Sequence, residues 1–449
     1  MSLKKSIARE LLSTALLSTA GTAGLVSAHH YYRRRTNSQA KLSDYVFGVL
    51  GALNFAANSK RALAKNTVKD TSITNAVDAA NDNHVTTWLP RPIAWVSGVA
   101  AMPKSVALDE DAQDFGVVGI DEYRQLVWQT TMPERVHDIV VQPNILPNQG
   151  NADKRQVVVM GRRPSERFWV LDSASGQVLH SIKAASNRHF YGHACFSLDG
   201  QSLYVSENDT ADLTGKIGIY DAKNSYQKTG EIDAHGIGPH ELIMHPKGEM
   251  LIIANGGIKT EQASREELNL DTMRPALTYL DRKTGKLLAQ ITPQHNQMSI
   301  RHLDIHHDGT VMIGVQFQGQ RHLSLPLVLT HKFGEKTLSP LIMPNNNWHM
   351  FHHYIASVAV DSQNDLLCVT SPIGGVAAVF DLTSRALIDA ISLPDCAGAA
   401  TVVDDSANFI VSDGQGLLTT ISVDLAKQSL STDNSSQRMS FDNHLQDVS

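Results

Sequence analysis

The sequence predicts an all-β chain folded as a seven-bladed β-propeller behind a weakly structured N-terminal leader. Three observations carry this reading. Short β-branched runs bounded by turn residues fill the chain after residue 88, with no helix-period pattern of comparable strength. A unit of about fifty residues recurs, the length of a four-stranded blade. Four successive units also place a histidine at the same point: Arg135-Val136-His137-Asp138, Tyr191-Gly192-His193-Ala194, Gly238-Pro239-His240-Glu241 and Ile300-Arg301-His302-Leu303.

The elements follow in chain order. Residues 1–57 read as a signal or leader: Lys4, Lys5 and Arg9 precede Leu11-Leu12, a diluted apolar stretch follows, and Val26-Ser27-Ala28 resembles a cleavage site. Neither this stretch nor Tyr45 to Ala57 reaches the ~18 uninterrupted apolar residues of a spanning helix, so no transmembrane helix is expected. Residues 58–88 are rich in Asn, Asp, Ala and Thr and read as a polar linker. Residues 89–449 are the propeller, with inner strands expected to begin at Trp95, Arg135, Tyr191, Gly238, Ser299, Tyr354 and Gly398.

Within each unit the second strand is legible, as in Val157-Val158-Val159-Met160, Met250-Leu251-Ile252-Ile253 and Leu366-Leu367-Cys368-Val369. The third strand ends on aspartate before a tight turn. Asp172 to Asp221 is 49 residues, Asp221 to Asp281 is 60, and Asp281 to Asp381 is 100, two units with Thr330 to Gly334 filling the missing place.

Composition narrows the function. The chain has 449 residues, a net charge of −6 and no long basic run beyond Arg33-Arg34-Arg35, which argues against nucleic-acid binding. The three cysteines, Cys195, Cys368 and Cys396, form neither a CxxC pair nor a disulfide framework. No nucleophile elbow, phosphate-binding glycine loop, dinucleotide fingerprint or zinc-protease helix occurs.

Tyr191-Gly192-His193, Ser206-Glu207-Asn208-Asp209, Gly236 to Glu241, Ala254 to Ile258, Leu268 to Met273, Ser299 to Leu303 and Asp442-Asn443-His444 together resemble the bacterial family called domain of unknown function 1513, over roughly residues 90–446. The resemblance implies a seven-bladed propeller exported to the periplasm, often by a twin-arginine leader. Here Thr36-Asn37-Ser38 follow the arginines instead of the apolar residues that route needs. It also implies association with imelysin-type iron-uptake components as partners. It supplies no reaction.

In a propeller blade the innermost strand lines the central channel, so His137, His193, His240 and His302 are expected together near one mouth. Neutral imidazole suits Cu, Fe or Zn, with Glu241, Asp138 or Glu207 as the groups that orient the rings. The segments after the second strands should surround the same mouth, which makes Arg162, Arg163, Glu207, Asn208, Asn255 and Gln316, with Arg301, the candidate ligand-binding residues. Arg162, Arg163 and Arg301 suit a carboxylate or phosphate. The insertion from Ile258 to Pro275 is a candidate lid, and Trp348 to His353, with His349, His352 and His353, a secondary cluster. Cys195 shares a strand face with His193. His444 is expected in the strand that closes the ring, in a structural role.

Three functions remain open from sequence. One is a metal or polar-ligand binding protein, accessory to iron or haem handling. The second is a metal-dependent oxidoreductase or lactonase. The third is an interaction scaffold whose histidines tie loop to blade, as the Gly-His of WD repeats does.

Overall fold

A computed structural model describes residues 85–88, 91–101, 115–143, 155–163, 165–260, 267–402 and 407–448. The expected leader and all but the end of the expected linker lie outside them. The described chain is all-β, with only short 3-10 turns, and forms seven antiparallel sheets. Six are consecutive four-stranded blades over 136–183, 188–233, 239–291, 298–340, 357–392 and 396–436, here blades two to seven. Among the described residues no helix is long and apolar enough to cross a membrane.

The first blade is built from both ends of the chain. Ser440–Asp447 is its inner strand and pairs antiparallel with Trp95–Ala101, Val96 opposite Gln446 and Ser97 opposite Leu445. The strand at Trp95, expected from sequence to be innermost, is therefore second. The physical reason is closure: a ring of sheets whose ends were not sewn together would leave an unpaired edge. Val85–Thr87, read from composition as linker, adds an outer strand against Leu126–Met132.

The seven inner strands are Ser440–Asp447, Val136–Val141, Arg188–Phe196, Pro239–Met244, Met298–Ile305, Ser357–Asp361 and Cys396–Thr401. Each touches the next, and the last touches the first. Apolar side chains fill the spaces between neighbouring blades. Trp128 and Trp169 are buried between blades one and two, and Trp348 stacks on Phe380 at 6.2 Å between centroids. Each fully buried side chain of this size contributes roughly 2–3 kcal/mol of transfer free energy.

The recurring aspartate is a turn device. Asp172 Oδ1 accepts the Ser175 backbone N–H, Asp281 Oδ1 that of Thr284 and Asp381 Oδ1 that of Ser384. The turn after Asp172 also docks on blade one: the Trp128 indole N–H donates to Ser173 O at 2.9 Å and Thr130 Oγ1 to Gly176 O at 2.6 Å. Gly176 sits at φ +73°, and a Cβ there would meet Trp128 Cε3 at 2.4 Å, so only glycine closes this contact.

Candidate functional site

The site begins with a defect in pairing. In blade two, Val136 faces Gly161 and Ile139 faces Val159, so His137 and Asp138 fall in a bulge. In blade three Tyr191, Gly192 and His193 stand opposite Ser206 alone. His240 and Glu241 fall between the Pro239 and Leu242 pairs, Arg301 is the extra residue beside His302, and Asp442, Asn443 and His444 stand opposite Gly98. A bulge turns a side chain out of the regular alternation. Five inner strands carry one at a histidine, whereas Ser357–Asp361 of blade six, without a histidine, pairs regularly.

Those bulges gather five imidazoles. Ring centroids run 5.1 Å from His444 to His137, 4.7 Å to His193, 4.4 Å to His240, 5.0 Å to His302 and 5.2 Å back to His444. Gly192, at φ +103°, admits the packing: a Cβ there would lie 2.7 Å from His137 Cδ2. The four sequence-expected histidines are thus brought together, and His444 joins them. Its motif was visible, but only the knowledge that the C-terminal strand is innermost places it in the channel.

Two sets of three, His137, His193 and His240, and His193, His302 and His444, each offer one ligand nitrogen per residue within 4.8 Å of the others. Nitrogens on a tetrahedral ion sit about 2.0–2.1 Å from it and so roughly 3.4 Å from one another; a modest contraction suffices. Within this layer five buried ring nitrogens have no hydrogen-bond partner among the described residues: both of His193, Nδ1 of His240, and Nε2 of His302 and His444. Leaving such atoms bare costs about 1–3 kcal/mol each, a cost an ion would remove.

Carboxylates clasp two of the rings from the neighbouring blade. Asp138 Oδ2, from blade two, lies 3.2 Å from His193 Nδ1, at ion-pair distance but off the hydrogen-bond line, and receives the Ala194 N–H at 3.4 Å. Glu241, from blade four, lies 3.1 Å from His302 Nδ1 and receives the Leu303 N–H at 3.0 Å. Each acid directly follows one histidine and braces the next blade's, leaving Nε2 for other work. Glu207 has no such role.

The electrostatics follow from burial. Burial, then the adjoining imidazoles, holds His137 and His240 well below the ordinary histidine value, and burial does the same for His302 and brings His444 to about 4. Burial also opposes charge on Asp138 and His193, but their mutual attraction outweighs it, holding the carboxyl low and the imidazole high. Burial lifts the Glu241 and Asp304 carboxyls to about 7.

The histidine layer divides the channel. On the N-terminal side of the inner strands a cavity of about 290 Å³ is lined by Arg162, Arg163, Arg301, Tyr191, Tyr354 and Gln316, with His137 and His240 at its wall. On the other side a cavity of about 310 Å³ is lined by Asp138, Glu241, Asp304, Asp447 and Cys195. Burial pushes the Cys195 thiol up, away from thiolate. His349, His352 and His353 line a separate cavity of about 520 Å³ that shares Gln316, Tyr354 and Ile373 with the arginine side. Of the expected lid, residues 261–266 lie outside the described residues, while Thr260 and Glu267 line a small cavity with Arg163 and Arg301.

Three expected ligand residues stand elsewhere. Glu207 and Asn208 belong to the second strand itself, Ser202–Asp209, which runs past the point where sequence ends it. The Glu207 carboxylate is buried and receives Tyr220 Oη and Lys228 Nζ, both at 2.7 Å. Asn208 is buried opposite His189. Asn255 is buried and donates to Ala234 O at 2.8 Å and Thr278 Oγ1 at 2.9 Å, tying loop to blade. Glu207, Asn208 and Asn255 line neither channel cavity.

The chain belongs to the family described as protein of unknown function DUF1513, whose model matches residues 130–448. No curated protein sequence matches it. Among solved structures it is similar to a chain of a mitotic checkpoint complex, at TM-score 0.51 and 12% identity, covering 84% of this chain and 90% of that one. It is also similar to hydrazine synthase of Kuenenia stuttgartiensis, at TM-score 0.49 and 14% identity, covering 71% of this chain and 89% of that one. At such identities the first likeness speaks for the fold alone, and the second carries no argument.

Proposed function

We propose that the five-histidine layer binds a transition metal, Cu, Fe or Zn, and that the protein is an exported binding component of metal or haem handling. One observation carries this reading: His193, His302 and His444 come from three blades, each with a buried ring nitrogen that has no hydrogen-bond partner among the described residues, and each offers one nitrogen within 4.8 Å of the others. A loop-to-blade tie spends its donors on hydrogen bonds, as Asn255 spends its amide N–H groups on Ala234 O and Thr278 Oγ1. Export to the periplasm and work beside imelysin-type iron-uptake components rest on the family resemblance and the basic-then-apolar start of the chain.

A second reading, a metal-dependent oxidoreductase or lactonase, is favoured by the cavity against the layer. His137 and His240 line it, so an ion there would have an open side for substrate.

The test is elemental analysis of the full chain purified from its native compartment, beside His193→Ala/His240→Ala. About one Cu, Fe or Zn per chain, absent from the variant, is the expected result. No metal in either, with the variant merely less stable, would leave the histidines as blade ties and turn attention to the scaffold reading. N-terminal sequencing of the same material reports export.

A further inference from the structure

Among the described residues, the arginine-lined cavity gathers more positive charge than its neighbours answer. Arg135 is paired, its Nη2 donating to Asp442 Oδ1 at 2.8 Å. Arg162, which unlike Arg135 lines the cavity, makes no side-chain hydrogen bond or ion pair among the described residues; its backbone N–H alone is bonded, to Arg135 O. Arg301 is anchored only through Nε, 3.1 Å from Ser299 Oγ, which leaves both Nη groups without a partner among the described residues. Arg163 donates to Thr260 Oγ1 at 2.7 Å and lies over the Tyr191 ring at 5.3 Å. Among the described residues, the one carboxylate lining the cavity is that of Glu267, on an exposed residue.

Guanidinium stays charged in proteins. Gathering three around a cavity costs Coulomb repulsion, and burial already holds Arg162 and Arg301 below the ordinary arginine value. Two of the three keep unspent planar donor forks, the geometry that receives carboxylate or phosphate oxygens in pairs. A second, independent feature lines the same cavity: His240, whose buried Nδ1 is unpartnered. The space, about 290 Å³, is near the low end of small-molecule sites.

We propose that this cavity is a binding site for a small oxyanion carrying at least two negative charges, a di- or tricarboxylate or a phosphate. Arg301 and Arg162 grip it through their free forks, and Arg163 is held beside them by Thr260. The anion's inner end abuts His137 and His240. Only that last contact rests on the metal reading, since an ion in the histidine layer would take an oxygen from the anion. The arginine grip stands without it.

The test is calorimetric titration of citrate, succinate and inorganic phosphate into the full chain at low salt, after metal is removed on a chelating resin. At least one anion is expected to bind once per chain and to weaken with added NaCl. Binding should weaken at least tenfold in Arg162→Gln and in Arg301→Gln, and Arg301→Lys should restore only part of it, because it keeps the charge and loses the fork. Citrate or succinate binding alone assigns a carboxylate, phosphate alone a phosphate. Should Arg301→Gln fail to fold, Arg162→Gln, nearer solvent, carries the test. No anion binding, or binding equal in wild type and both glutamine variants, overturns the proposal. Metal content is read on untreated portions of the same samples. Anion binding in a protein that never carries metal sinks the metal reading and leaves this one standing; metal without anion binding does the reverse.

Discussion

The two ends of the channel share one wall of seven inner strands and yet oppose each other in charge. Arg162, Arg163 and Arg301 line one end; Asp138, Glu241, Asp304 and Asp447 line the other. Part of the difference arises within a few residues of the histidines, while Arg162 and Arg163 come from the segment after the second strand of blade two. Arg301 precedes His302, while Asp138 and Glu241 follow His137 and His240. Because the inner strands run in the same sense, one step before the histidine leads to the first cavity and one step after it to the second. The acids are further divided in use: two spend themselves bracing rings, whereas Asp304 accepts the backbone N–H of Val360 in blade six, where no histidine stands. A strand direction, a bulge and the segment after one second strand thus turn a sequence repeat into a polarised channel.

The histidine layer stands between the two ends. His193→Ala removes the ring shared by both candidate ligand sets. Metal affinity should fall by well over a hundredfold, read as metal content after dialysis; full retention would remove His193 from the site.

A smaller effect separates the two ends. Asp138→Asn and Glu241→Gln should each weaken metal about 10–100-fold, because each braces a ring through Nδ1. Arg162→Gln at the opposite end, measured in buffer free of carboxylates and phosphate, should leave metal affinity within about twofold. Competition with a chromophoric chelator measures all three, and equal losses would erase the distinction between the ends.

Gly192→Ala tests whether the bulge sets the spacing. The left-handed backbone and the approach of His137 together predict a loss of about 1–3 kcal/mol in chemical denaturation. Metal affinity should fall with it, since His137 must move.

The smallest effect is a control outside the channel. On the rim of blade three, Glu231 receives Arg188 and Lys228, and Arg188 first holds its carboxyl at about 2. A depressed carboxyl stabilises the fold above its unfolded value of about 4.3 and loses that contribution as pH falls toward 2. Discounted for partial exposure, Glu231→Gln should cost roughly 1–2 kcal/mol at pH 7 and little at pH 2.5, by urea unfolding. A cost that does not shrink with acid would mean the pair acts through packing.

Much of this was legible in the chain. The aspartates at Asp172, Asp221, Asp281 and Asp381 announced the turn of each blade because an Asx turn is local: its donor and acceptor lie two or three residues apart. The four histidines were legible because equivalent places in a ring must converge. Glu207 and Asn255 were misplaced for the complementary reason. Their polarity reads as loop, but each is buried and hydrogen-bonded to partners 13 to 23 residues away, such as Tyr220 and Thr278.

The sequence by itself therefore determined the period, the turns, the all-β class and the height at which four histidines stand, since all of these follow from local chemistry repeated. Only the tertiary structure decided that the closing strand is the innermost of the first blade and so delivers His444 to the channel, that acids reach across to the next blade's rings, and that the arginines and carboxylates part to opposite ends. Those outcomes depend on ring closure and on bulges, contacts between residues as much as 350 positions apart, such as Trp95 and Asp447, and no local pattern encodes them.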